Sequence, residues 1–409
     1  MDSRRPPIVA VITGANSGLG YAIACRLIVE FFAQQAASAT EPKSLVVCLT
    51  TRSREKATTA LESLAAFAAS KLPENARRRL ELQYIILDLA SLISVAAAAV
   101  ELRKRYARIH YVFCNAAVIP FVRMDWLKVA QQFMTGVVNA MTEPRYQVQG
   151  VGWLTEAHAA LDVPQLSKGG VEAASADSQS SASPDLGMVF TANVFGHYYL
   201  IHEIMTTLHA HRGQEDEASR VIWIGSIDSN PHGFDIKDIQ GIKSTTPYQS
   251  SKTLTDILVL GHQLPQTEKQ YRAYVSTATG HQRSDTSIGE TIAPVFLVAH
   301  PGIISTTIVA LPWWQTHGKI LGFWLCKALG SPWHCIDPYI GANAPVWLAL
   351  SPHVEMAKGT KWGSGSGWRD TELIIETKVD IDVARYSEEV WAEMERLRSF
   401  WKSRLDSRA

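Results

Sequence analysis

Ile8-Val-Ala-Val-Ile-Thr13 runs directly into Gly14-Ala-Asn-Ser-Gly-Leu-Gly20. The first six residues are uncharged and rich in β-branched side chains, the pattern of a short strand buried on both faces. The glycines follow at once, and an apolar helical pattern starts among them, over about 18 to 35. A strand that turns on glycines into a helix offers the helix's first N–H groups and its positive end to an anion above the turn. Glycine also permits the tight turn and the close backbone approach that a pyrophosphate needs. A glycine triplet alone is often a plain turn. Placed at the head of an alternating α/β chain, it reads as a dinucleotide site.

Working outward, Leu45–Thr50 gives a second strand and about 53 to 70 a helix. Leu82–Leu87 is a third strand, ending in Asp88. Leu92, Val95, Ala99, Leu102 and Tyr106 recur at helical spacing, and Ile109–Cys114 is a fourth strand that ends at Asn115. A helix over 188 to 211, a strand at Val221–Gly225, a helix through Tyr248 and Lys252 to about 264, and a strand at Pro294–His300 follow. Val383, Tyr386, Val390, Met394, Leu397 and Trp401 mark a terminal amphipathic helix. This order predicts one domain over 1–409, a Rossmann-type doubly wound parallel sheet in three αβα layers with right-handed crossovers and a C-terminal helical extension. Insertions interrupt it at about 141–187, 228–243 and 268–290. Lys168–Gly187 is rich in Ser, Ala, Gly and Asp and is expected to be an exposed loop.

Within the glycine turn, Gly14, Asn16, Ser17, Gly18, Leu19 and Gly20 are the expected cofactor contacts. The second strand should end near the adenosine ribose. A carboxylate there would bind the 2′-hydroxyl of NAD and repel a 2′-phosphate, but the sequence is Leu49-Thr50-Thr51-Arg52. Arg52 offers a fork of donors to a phosphate and Thr50 or Thr51 a hydroxyl, so NADP(H) is favoured. Asp88 is placed to bond the adenine amine. Asn115-Ala116-Ala117 ends the fourth strand with small residues that let the backbone approach the cofactor.

Tyr248 and Lys252 stand four apart in a helical segment and so share a face. A phenol is a poor acid–base group near neutrality, and a lysine ammonium beside it favours the phenolate, which is expected to move the tyrosine toward useful values. The same lysine can hold the nicotinamide ribose. Ser226, just past the fifth strand, can bond a carbonyl oxygen as charge develops there. Asn193 can anchor a water linking Lys252 to solvent.

Gly14-x-x-x-Gly18-x-Gly20, Asn115-Ala116-Ala117, Asn193, Ser226 and Tyr248-x-x-x-Lys252 together resemble the short-chain dehydrogenase/reductase family, over about 8 to 307. Pro301-Gly302 resembles its cofactor-closing turn, with Thr306 and Thr307 as candidates for carboxamide or phosphate contacts. The resemblance implies that Tyr248 is the acid–base, Lys252 its activator, Ser226 the substrate orienter and Asn193 part of a proton relay. Ser226 and Tyr248 lie 22 residues apart and Asn115 and Asn193 78 apart, both longer than the family's usual spacing. Ser229 and Ser244 therefore remain alternatives to Ser226. The long insertions, with Asn193-Val-Phe-Gly-His-Tyr-Tyr-Leu200 and Val151-Gly-Trp-Leu154, are similar to those of the fungal 3-keto sterol reductases within that family. This implies NADPH-dependent reduction of the 3-keto group of C-4-demethylated sterols in ergosterol biosynthesis. It also implies residence at the endoplasmic reticulum or lipid droplets, beside other enzymes of sterol C-4 demethylation. Reduction of another lipid, a retinoid or a small carbonyl is the alternative, and a non-catalytic dinucleotide-binding scaffold the second. In such folds the helices bearing Asn193 and Tyr248 often form a dimer face, which these insertions can cover.

Composition narrows the rest. Among 409 residues, Lys plus Arg equal Asp plus Glu at 39 each, so no global field draws nucleic acid. The five cysteines form no CxxC, and the four histidines at 197, 202, 209 and 211 read as core, surface and capping residues, so no metal is expected. Residues 1–7 are polar and the apolar run after them is too short for a signal peptide. No run of 18 uncharged apolar residues occurs. The segment of about 303–340 is expected to cap the substrate. Its Trp313, Trp314, Phe323 and Trp324, flanked by Lys319 and Lys327, suit a membrane interface, with the lysines reaching toward water.

Overall fold

The computed structural model describes residues 6–38, 41–150, 186–211, 217–276, 291–305, 313–352, 357–367 and 371–407. The chain begins with β1 (Ile8–Ile12), α1 (Gly18–Ala37), β2 (Leu45–Thr51), α2 (Arg54–Lys71), β3 (Leu80–Ile86), α3 (Leu92–Arg105) and β4 (Tyr111–Cys114). A hairpin of β5 (Phe121–Met124) and β6 (Gln147–Gln149) then encloses α4 (Trp126–Thr135) and α5 (Val137–Thr142). After α6 (Gly196–Glu203) come β7 (Arg220–Ile224), α7 (Pro247–Gly261), α8 (Glu268–Ser276) and β8 (Val295–His300). The chain closes through α9 (Trp313–Ala328), α10 (Asn343–Leu350), β9 (Lys361–Ser366), β10 (Glu372–Thr377) and α11 (Val383–Asp406).

Among the described residues eight strands form one sheet in the order β10-β9-β8-β7-β4-β1-β2-β3. Every pairing is parallel except β9 with β10. β1 is buried at each position because both faces are covered. Val9 and Val11 enter the core under α3, α7 and α11, whereas Ile8, Ala10 and Ile12 enter the opposite core under α1, α2 and α10. Double coverage is what replaces period-two alternation with a continuous apolar run. The chain winds outward from β1 to β3 and then returns to β4 on the other side of β1. The crevice beyond the carboxyl ends of β1 and β4 is therefore the switch point where such sheets bind ligands.

The expected helix over 188–211 is broken in a specific way. Met188–Phe190 leads into a π-helical turn at Thr191–Phe195, closed by Gly196 N–H donating to Thr191 O, and α6 follows. Met205–Leu208 is a separate turn. Of the expected variable stretch 268–290, the first part is the helix α8, and 277–290 lies outside the described residues. Much of the 141–187 insertion, Val151–Leu154 included, also lies outside them. The loop at 228–243 is built from two short 3-10 turns whose first N–H groups bond Asn230 and Asp235 side chains. Past β8, α9 lies against α5, and Met141, Phe323 and Cys326 form a third, small core between them.

Candidate active site

The glycine turn is held from below by Thr13. Its Oγ accepts from Asn115 N at 2.8 Å and Ala116 N at 3.0 Å, which ties the end of β4 to the end of β1. Asn115 returns the tie, donating from Nδ2 to Thr13 O at 2.8 Å. Gly14 adopts φ +63°, and a Cβ there would stand 2.8 Å from the Ala116 Cβ, so both small residues are required for this approach. Ser17 caps α1 without a side-chain hydrogen bond, and no acid occupies the first turn. The helix's leading N–H groups thus face the cavity, the arrangement that suits a pyrophosphate.

At the adenosine end, Thr50 and Asp88 line the same cavity, with Arg52 exposed at its rim. Asp88 Oδ1 accepts from Ala90 N at 3.0 Å, which fixes the carboxylate on its turn. Lys56, one turn into α2, also lines the cavity and was not anticipated from the sequence. Its signal was the set of cations at Arg52, Arg54 and Lys56 just past the end of β2. The donor set is two cations, hydroxyls and no acid at the end of β2, which fits a 2′-phosphate. Pro301 and Gly302 line the far side. Thr306 and Thr307 lie outside the described residues.

Tyr248 and Lys252 project from the first half of α7, whose Pro247 sits at the helix start, where a missing N–H costs nothing. Ser226, just past the end of β7, lines the cavity beside Tyr248 and draws the pKa of its phenol down. Ser226 Oγ accepts from Asp228 N at 3.0 Å. Of the alternatives, Ser229 Oγ bonds Lys361 Nζ at 2.8 Å and Ser244 Oγ faces Gly233 O, whereas Ser226 lines the cavity.

The electrostatics correct one expectation. Burial pushes the Tyr248 phenol up to about 12, opposed by Ser226 and reinforced by Asp228. Lys252 makes no hydrogen bond to the phenol. Its Nζ lies 5.6 Å from the Tyr248 ring centroid and donates to Ile224 O at 2.7 Å. Burial brings Lys252 itself down to about 8, with Asp256 drawing it up and Lys361 pushing it down.

Asn193 is held by three hydrogen bonds. Its Oδ1 accepts from Val118 N at 2.8 Å, and its amide donates to Val118 O at 3.1 Å and Ser251 Oγ at 3.0 Å. Both amide protons clamp the chain after β4 to α7, and Oδ1 keeps a second lone pair. His197, unanticipated, joins the two halves: Nε2 meets Thr13 Oγ at 2.8 Å and Nδ1 meets Asn193 O at 3.3 Å. Burial lowers it to about 3, so the ring is neutral and acts as a strut.

Glycine turn, Ser226, Tyr248 and Lys252 all open onto one cavity of about 740 Å³. Its other wall comes from the cap: Met124, Trp126, Phe133, Met141 and Phe323 line it. Phe323 falls in the segment expected to cap the substrate, whereas Met124, Trp126, Phe133 and Met141 come from the stretch after β4 and were not anticipated. Asp228, also lining the cavity, is pushed by burial up to about 7 against a 2.9 Å bond from Gln249 Nε2.

On the outer side of the cap, Leu127, Met134, Trp313 and Leu321 are each more than two-thirds exposed. Two expectations for this segment fail. Phe323 is buried against Met141 and His334, and Lys327 is 4% exposed with its ammonium 5.4 Å from the Trp324 ring, so neither faces outward. Among the described residues no helix is long and apolar enough to cross a membrane.

The chain is 35% identical to the 3-keto-steroid reductase of Aspergillus fumigatus, covering 91% of this chain and 82% of that one. It is 32% identical to the 3-keto-steroid reductase of Candida glabrata, over 97% and 95%. With that of Schizosaccharomyces pombe it shares 30% identity over 97% and 98%. No family model matches. A solved short-chain type dehydrogenase/reductase from Mycobacterium ulcerans aligns over 88% of this chain and 89% of its own at 15% identity and TM-score 0.47, too loosely to add to the fold described above.

Proposed function

Because the chain belongs to the family of the fungal 3-keto-steroid reductases, we propose that it reduces the 3-keto group of C-4-demethylated sterol intermediates to the 3β-hydroxyl in ergosterol biosynthesis, with NADPH as reductant. The observation that carries this reading is the meeting of Ser226, Tyr248 and Lys252 on one wall of a cavity whose opposite wall is apolar and aromatic. Bound NADPH would supply the hydride. Gly14, Asn16, Ser17, Gly18, Leu19 and Gly20 would hold its pyrophosphate, and Thr50, Arg52 and Lys56 its 2′-phosphate. Asp88 would hold the adenine, with Asn115, Ala116, Lys252, Pro301 and Gly302 along the rest.

The other steps belong to the chain's own side chains. Ser226 donates to the ketone oxygen and stabilises the charge that grows there. Tyr248 gives that oxygen its proton. A phenol held up at about 12 stays protonated at neutral pH, which is the form that a reductase needs. As the proton leaves, the Lys252 ammonium behind the ring opposes the charge left on Tyr248. The cap walls exclude water from the reacting carbon.

The exposed apolar face of the cap supports a membrane-surface location, the cytosolic face of the endoplasmic reticulum or a lipid droplet, from which a sterone enters. Other enzymes of sterol C-4 demethylation are the partners this reading implies. The test is a substrate panel: purified protein, NADPH, 3-keto sterols with and without C-4 methyl groups, a retinal and small ketones. Faster turnover of the C-4-demethylated sterone, with a 3β-alcohol as product, is expected. Preference for a retinoid or small carbonyl overturns the substrate, and NADPH binding with no ketone reduced favours a scaffold.

A further inference from the structure

Tyr248, Lys252 and Asp256 recur every fourth residue on α7 and therefore lie along one face. The third belongs to no motif considered so far. Asp256 is 1% exposed, and its Oδ2 accepts from Lys361 Nζ at 2.7 Å. Lys361 opens β9, two strands away from β7, and is 2% exposed. An ammonium has three protons. This one has three acceptors: Asp256 Oδ2, Ser226 O at 2.7 Å and Ser229 Oγ at 2.8 Å.

The side chain reaches across β8, where Lys361 pairs with Val298, and passes over Gly225. A Cβ on Gly225 would stand 3.2 Å from Val298 Cγ2, 3.3 Å from Asp256 Oδ1 and 3.5 Å from Lys361 Cε, so the bare glycine leaves the room in which the pair meets. Exchanging a buried ion pair for apolar groups is often neutral for stability, so stability alone does not account for this one. Its placement does: it grips the main chain of the serine that lines the cavity beside Tyr248.

We propose that Lys361 and Asp256 are a positioning pair, which clamps the Ser226 carbonyl so that the serine hydroxyl is held beside Tyr248 in the cavity, and which sets the charge environment of Lys252. The inference rests on the reading of Ser226 given above. Neither residue touches a reacting atom. Around Lys252 the charged or titratable groups are Tyr248 and Asp256 on its own helix, His197 on α6, Lys361 on β9 and Cys114 on β4. Asp256 and Cys114 favour the ammonium, and Lys361 opposes it.

Lys361→Met alone would strand a buried carboxylate, so the cycle uses the neutral pair D256N/K361M, with Ser226→Ala and the combined triple variant. NADPH affinity is expected to hold, while kcat of the pair variant falls roughly tenfold to a hundredfold, as for a misplaced catalytic group. If the clamp acts through Ser226, the triple variant matches Ser226→Ala within about twofold, because the losses are not independent. Multiplying losses, or an unchanged kcat with only a lower Tm, overturns the proposal. If Ser226→Ala loses nothing, the role of Ser226 falls and the clamp with it, while ketone reduction itself would persist. Asp256→Asn alone keeps an acceptor for Lys361 and removes the pull that favours the Lys252 ammonium. The alkaline limb of kcat/KM should then move to lower pH, and an unmoved limb refutes the electrostatic half.

Discussion

Burial holds Tyr248 up at about 12 and Lys252 down to about 8, and the two shifts together set when the site is armed. Below about pH 8 the lysine is charged and the phenol protonated, the pair that ketone reduction uses. As pH rises through the lysine's value the ammonium is lost first, while the phenol is still intact. We therefore expect kcat/KM for reduction to be level through neutrality and to fall above about pH 8. A limb only near pH 10, where an ordinary lysine titrates (about 10.4), would show that Lys252 is not perturbed in solution. Arg52 carries a second prediction at this scale. Arg52→Asp exchanges a charge-assisted phosphate contact for repulsion, so NADPH affinity should drop far more than NADH affinity. Equal losses in a titration of both cofactors would remove Arg52 from the phosphate site and leave Lys56 as the candidate.

The elements differ in how plainly the sequence announces them. β1 is legible because full burial writes a continuous apolar run, and α7 because Tyr248 and Lys252 sit one helical turn apart. β9 was missed since Lys361-Trp-Gly-Ser-Gly-Ser366 looks like a loop. Gly363 is there because His300 packs on the strand, and a Cβ would stand 2.4 Å from its Nε2. A contact between strands 63 residues apart leaves no local signature. The cap is legible only in half: α9 falls in the segment expected to cover the substrate, whereas α4 and α5 come from the stretch after β4 and carry no motif. Its outer face can be tested as an element. Changing Trp313, Leu321 and Trp324 to polar residues should abolish flotation with liposomes and leave NADPH binding intact, because these side chains face outward. Wild-type protein that stays soluble beside liposomes, or a variant that floats equally well, would show that this face does not bind lipid.

At the scale of the whole molecule, the terminal helix α11 closes the core over α7. Trp391 is fully buried and donates from Nε1 to Leu258 O at 3.2 Å, so the helix that carries Tyr248 and Lys252 is braced from outside by a segment far beyond the motifs. The same packing covers much of the α7 face, on which the sequence allowed a dimer contact. One rigid scaffold thus aims three side chains at a single point, and the chemistry should hang on one hydroxyl. The most direct measurement is ketone-dependent NADPH oxidation with a C-4-demethylated 3-keto sterol, comparing wild type with Tyr248→Phe, alongside NADPH binding to both. Wild type should turn over to the 3β-alcohol, and the variant should bind NADPH nearly as well but lose roughly 10²–10⁴ in rate, the usual worth of a general acid. A variant that keeps more than about a tenth of the rate, far above the range a lost general acid leaves, would contradict the account.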